Sequence, residues 1–67
     1  MKAAVIGLGW WGKQIITYLK ASEKIHVTHG VDLNIAHLDD FAKENHLVLV
    51  SEMDEVLENP EIDAIIL

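Results

Sequence analysis

The chain has 67 residues, 51% hydrophobic and 24% charged, with no cysteine and a formal charge of −6 from 11 acidic and 5 basic residues. That composition is globular rather than disordered; it excludes a disulfide framework or thiolate metal site and supplies no basic stripe for nucleic acid or an anionic membrane. No apolar run nears the roughly 18 residues of a membrane span, three glycines in the opening stretch argue against a signal peptide, and so much apolar sequence in so short a chain implies part of a larger protein.

Residues 3–6, Ala-Ala-Val-Ile, are a continuous apolar run ahead of glycines, the pattern of a strand buried on both faces. Residues 7–12 read as a turn. From about residue 11 to 21, Trp11, Ile15, Tyr18 and Leu19 recur at helical spacing while Lys13, Gln14, Thr17 and Lys20 face away, which predicts an amphipathic helix. Residues 25–31 alternate, with Ile25, Val27, His29 and Val31 on one face and His26, Thr28 and Gly30 on the other. Their β-branched content favours a strand.

Asn34 is placed to cap a second helix with Ile35, Leu38, Phe41 and Ala42 as its apolar face, and Asn45 and His46 mark a frayed end. Residues 47–50, Leu-Val-Leu-Val, form a third buried strand. Ser51 and Asp54 make an imperfect capping box for a short helix with Met53, Val56 and Leu57 as its stripe, stopped by Pro60. Residues 64–67 are a fourth apolar strand. This alternation predicts an α/β fold over residues 1–67, a Rossmann-type parallel sheet with right-handed crossover helices. The expected strand order, 3-2-1-4, leaves the fourth strand as an apolar edge.

Gly7-Leu8-Gly9-Trp10-Trp11-Gly12 has the form G-x-G-x-x-G. The pattern alone is weak, but here it follows a buried strand, opens a helix, and is followed twenty residues after Gly12 by Asp32 at the end of the second strand. Those are the conditions of a dinucleotide-binding fingerprint. Gly7 permits the tight turn, Gly9 clears the approach to a pyrophosphate, and Gly12 lets the helix pack against the strands. Unpaired N–H groups and the dipole at the helix head attract the anion without lysine or arginine, so a chain of net charge −6 can hold one. Asp32 accepts hydrogen bonds from the adenosine ribose. Its charge repels a 2′-phosphate, and neither Leu33 nor Asn34 is an arginine that could bind one, so NAD is expected over NADP. One of Trp10 and Trp11 is placed to lie beside the cofactor and the other to pack under the helix; packing roles for both are the plainer reading. The four histidines form no metal-ligand pattern, and the acidic stretches read as solvated helix faces.

With these residues in place, the chain resembles the start of the glucose–fructose oxidoreductase, inositol dehydrogenase and MocA-type (Gfo/Idh/MocA) family. The likeness runs from residues 5–13 through His29-Gly30-Val31-Asp32 and the short helix of residues 51–57 to Asn59-Pro60-Glu61-Ile62-Asp63-Ala64-Ile65-Ile66. The N-P-x-x-D-A junction is more telling than the glycines, which many dehydrogenases share. Leu33-Asn34 departs from the arginine that the family often carries after its ribose-binding acid, and this strengthens the NAD expectation.

The resemblance implies an NAD(P)-dependent oxidoreductase acting on a hydroxyl or carbonyl of a sugar, cyclitol or similar small molecule. Apart from the resemblance, the absence of cysteine fits a cytoplasmic setting, the acidic balance argues against nucleic acid or membrane as partner, and a homo-oligomer is expected. The family's catalytic lysine, in an E-K-P segment, and its substrate domain lie beyond these residues, so no catalytic role falls on this chain. A non-catalytic dinucleotide-binding or sensing module would carry the same residues, and other Rossmann dehydrogenases share the glycines. A methyltransferase is disfavoured by Val5-Ile6 where that class places an acid ahead of its glycines.

Overall fold

The computed structural model describes residues 1–67. In chain order the elements are β1 (Lys2–Ile6), α1 (Trp10–Leu19), β2 (His26–Val31), a 3-10 turn (Ala36–Leu38) leading into α2 (Asp39–Asn45), β3 (Val48–Val50), α3 (Met53–Leu57) and β4 (Ala64–Ile66). The strands form one sheet in the order β3-β2-β1-β4, and every neighbouring pair is parallel. This is the expected Rossmann-type arrangement, with β4 at the edge.

β1 is central because Ala3, Ala4 and Val5 present no polar side chain to either face, and all three are fully buried. Val5 packs on one face with Leu8, Ile16 of α1 and Leu38. Ala4 packs on the other with Val31 and Val56 of α3. Apolar layers on both faces are what allow continuous rather than alternating hydrophobic strands.

The alternation expected along β2 does not run through. Ala3 pairs with Val27 but Ala4 pairs with His29, so Thr28 is an extra residue opposite β1. A bulge of one residue exchanges the two faces of everything beyond it. Val27 therefore packs with the α1-side cluster while Val31 packs with the α3-side cluster.

The buried face of α1 also differs from the hydrophobic spacing. Gly12 and Ile16 are buried, whereas Trp11 and Tyr18 are 73% and 83% exposed. The helix docks through the residue that has no side chain. A Cβ on Gly12 would collide with the Gly7 carbonyl oxygen and lie 3.6 Å from Val5 Cγ1. Close approach at Gly12 rolls Trp11 and Tyr18 outward, and neither tryptophan packs under the helix.

The caps correct three further expectations. The Asn34 side chain does not cap, and the 3-10 turn and α2 both begin without a side-chain cap. The N-cap of α3 is Glu52, again with no side-chain cap, so Ser51 and Asp54 form no capping box. The end of α2 is closed rather than frayed: His46 is left-handed at φ 55°, and the following Leu47 N–H donates to the Ala42 carbonyl at 2.9 Å. Asn59-Pro60 makes a turn in which Asn59 Oδ1 accepts the Glu61 N–H at 2.9 Å. Asp63 then ties β4 to β1, since its Oδ2 accepts the Lys2 N–H at 2.9 Å and its own N–H donates to the Lys2 carbonyl at 2.8 Å.

Candidate functional site

Parallel strands all end at one edge of their sheet, and the crossover turns gather there. At this edge the ladder runs on past the strands. Gly7 N–H donates to the Val31 carbonyl at 2.7 Å, and Asp32 N–H donates to the Val50 carbonyl at 3.2 Å. The glycine turn and Asp32, twenty-five residues apart in sequence, are thereby held side by side.

Within the turn the three glycines meet different demands. Gly7 sits at φ +85°, a conformation that residues with a Cβ rarely adopt. Gly12 is needed for the close helix–turn contact described above. Gly9 is the N-cap of α1, at φ −73° and ψ −163°, an ordinary extended conformation. A Cβ on Gly9 would meet nothing within 4 Å. The fold itself does not require glycine at this position.

The first bond of α1 runs from Lys13 N–H to the Gly9 carbonyl at 3.1 Å. The N–H groups of residues 10–12 precede it and have no acceptor within the helix. No side chain caps this end and no acidic residue lies in its first turn. The head of α1 thus retains its partial positive charge and its donors. Trp10 and Trp11 flank it, 68% and 73% exposed, with their rings edge to face at a centroid separation of 5.1 Å.

Asp32 accepts two backbone hydrogen bonds, from Asn34 N–H to Oδ1 at 3.0 Å and from Leu8 N–H to Oδ2 at 2.9 Å. These two bonds, Asn34 first and Leu8 second, lower its pKa and keep the carboxylate charged. Each oxygen still has acceptor capacity to spare. Leu8 is fully engaged by the protein, for its N–H is taken by Asp32 and its side chain is buried in the core. Leu33 is 91% exposed at the lip.

Between the ends of β1 and β2 and the loop after β3 lies a groove of about 470 Å³. It is lined by Ile6, Gly7, Val31, Asp32 and Leu33 on one side and by Ser51, Glu52 and Met53 on the other. Two carboxylates line it and no lysine or arginine does. Sequence reasoning gave Ser51 and Met53 only to a short helix and its cap and not to the site, although the 3-2-1-4 strand order contains the signal, because it places the end of the third strand beside Asp32. No three His, Asp or Glu side chains converge where they could hold a metal ion, and no helix is long and apolar enough to cross a membrane.

This arrangement recurs in known proteins. The chain is 36% identical over 61 residues to an uncharacterized protein of Methanocaldococcus jannaschii, covering 88% of this chain and 12% of that protein. It superposes with a TM-score of 0.81 on scyllo-inositol dehydrogenase from Lactobacillus casei, whose crystal structure holds NAD(H) and scyllo-inositol. That match is 25% identical and covers 97% of this chain and 20% of the dehydrogenase. The chain thus spans a minor part of the length of both relatives. The model of the Gfo/Idh/MocA oxidoreductase family, defined by an NAD-binding Rossmann fold, matches all of residues 1–67, and the chain belongs to that family.

Proposed function

We propose that these residues hold the adenosine diphosphate half of NAD in an enzyme that moves hydride between the nicotinamide ring and a hydroxyl or carbonyl group of a small molecule of the cyclitol or sugar class. The observation that carries this reading is Gly9. Its backbone would accept a side chain and nothing in the protein fills the space in front of it, yet it stands at the uncapped head of α1. A glycine that the fold does not need, beside donors that nothing satisfies, suits an anionic ligand brought close to the backbone.

In this reading the N–H groups at the head of α1 receive the pyrophosphate between Gly9 and the flanking Trp10 and Trp11. Gly7 and Gly12 shape the turn, and Leu8 positions it through its backbone. Asp32, held charged, accepts the ribose hydroxyls, while Leu33 borders the adenosine. Asp32 and Glu52 disfavour a 2′-phosphate, so NAD is taken in preference to NADP. When bound, the cofactor supplies the hydride acceptor or donor. The residues described here bind and orient it, and none is assigned to proton transfer. The apolar β4 edge supports assembly into a homo-oligomer or with further chain. The lack of cysteine supports a reducing, cytoplasmic setting, and the charge of −6 supports neither nucleic acid nor membrane as a partner.

Calorimetric titration of the full-length protein with NAD and NADP tests the proposal. We expect NAD to bind at least about tenfold more tightly. Equal or tighter NADP binding refutes the role of Asp32, and absence of binding by either refutes the nucleotide site.

A further inference from the structure

We infer that Gly30, in the middle of β2, is a positioning residue for the phosphate-binding turn, an inference that rests on the nucleotide reading above. Glycine is disfavoured inside a strand, where ordering it costs extra backbone entropy and it contributes no packing. Gly30 pairs with Val5 on one side and Leu49 on the other, at the centre of the sheet. Gly7 is the only glycine with positive φ, so backbone conformation does not call for glycine at position 30.

Space does. A Cβ on Gly30 would lie 2.6 Å from Leu8 Cδ1, 3.2 Å from Cδ2 and 3.3 Å from Cγ. The missing side chain is a socket for the whole isopropyl group of Leu8. That group is 2% exposed and packed in one cluster with Val5, Ile16 and Leu38, so yielding to a Cβ means disturbing a close-packed core. Leu8 is the middle residue of Gly7-Leu8-Gly9. With its side chain seated over Gly30, its N–H meets Asp32 Oδ2 at 2.9 Å.

One residue therefore fastens the turn twice, downward into β2 through its side chain and sideways to the ribose-binding carboxylate through its amide. The latch sets where the open face of Gly9 stands relative to Asp32, hence the spacing of pyrophosphate and ribose sites. Gly30 is buried and touches no ligand; it acts through Leu8.

The test uses the full-length protein with Gly30→Ala, Leu8→Ala and the double variant, reading NAD affinity together with hydrogen exchange of the position-8 amide. Gly30→Ala is expected to unseat Leu8, speed that exchange and weaken NAD binding by about threefold to tenfold. In the Leu8→Ala background the three crowded atoms are gone, so adding Gly30→Ala is expected to cause no further loss. The inference is overturned if Gly30→Ala leaves both readouts at the wild-type level, or if its effect is the same with and without the Leu8 side chain. Should Gly30→Ala fail to fold, Leu8→Ala alone decides: fast amide exchange supports the latch and unchanged exchange refutes it. Wild-type protein that binds no NAD would end the nucleotide reading, and the exchange measurement on unliganded protein would still decide the latch.

Discussion

Replacing Gly9 by alanine separates the demands of the ligand from those of the fold. In the native backbone the new methyl group meets nothing within 4 Å, and φ is −73°. Alanine is a poorer N-cap than glycine by up to about 1 kcal/mol. Restricting the unfolded chain returns about 0.4–1 kcal/mol, so stability should fall by no more than about 0.6 kcal/mol below wild type. Binding should not survive so well. In the proposed nucleotide site the methyl group would stand where the pyrophosphate approaches the amides, and losing two charge-assisted hydrogen bonds at about 1.5–3 kcal/mol each corresponds to at least about a hundredfold in NAD dissociation constant.

Gly12→Ala is the contrasting control. Its methyl group would collide with the Gly7 carbonyl, and overpacking of this kind costs about 1–3 kcal/mol of stability. Thermal melts paired with calorimetric NAD titration of the full-length variants give both quantities. Gly9→Ala protein that binds NAD within about threefold of wild type, or that melts as low as Gly12→Ala, would refute the reasoning.

Asp32 makes stability depend on pH with a definite sign. Its native hydrogen bonds hold its pKa below the ordinary 3.8, so its contribution is complete above that value and is lost as pH falls toward the native pKa. The gap in melting temperature between wild type and Asp32→Asn should therefore narrow on acidification from about pH 6 to about pH 3, and a constant gap would count against the two hydrogen bonds. Asp63→Ala removes the bond to the Lys2 N–H and should destabilise by about 1 kcal/mol in chemical denaturation, leaving NAD affinity unchanged; a large loss of affinity would show that the β1–β4 junction reaches the site. Glu52→Lys puts a cation in the groove beside Asp32 and should strengthen NADP binding by up to about fivefold in the same titration, whereas unaltered NADP affinity would remove Glu52 from cofactor selection. As a free 67-residue polypeptide the chain leaves the β4 edge, with Ile65 and Ile66, unpaired. Sedimentation should show self-association, and a monomer with a sharp, concentration-independent melt would contradict that.

Strand and helix types were legible because the two-sided core leaves an unambiguous trace. Runs such as residues 3–6 and 47–50 are apolar throughout, and glycine, asparagine and proline punctuate them, although the second run is not the buried strand expected, because β3 lies at the sheet edge with Val48 exposed and Leu49 and Val50 half-buried. The strand order followed from the dinucleotide-binding fold that the glycine turn and its acid indicate, and the nearness of Asp32 to the glycine turn followed from the strand order. The N-P-x-x-D-A junction was recognised by likeness alone. Its physical reason lies in the tertiary structure, in the Asn59 turn and the paired Asp63–Lys2 bonds.

Where sequence reasoning misassigned buried faces, it did so for one kind of cause: a local pattern assigns faces as if each element stood alone. The bulge at Thr28 exchanges the faces of Val27 and Val31, and it is set by pairing with β1 rather than by any feature of residues 25–31. The buried face of α1 is chosen by close approach at Gly12, which a count of apolar residues scores as empty, so Trp11 and Tyr18 turn to solvent. The sequence by itself therefore determined the fold class, the chain order and the identity of the glycine turn and its acid, since these depend on residue type and direction along the chain. Tertiary structure alone decided that Leu8 is spent on Gly30 and Asp32, that residues 51–53 close the groove, and that Gly9 faces open space. Each of those is a distance between segments far apart in sequence, and such distances exist only once the sheet has assembled.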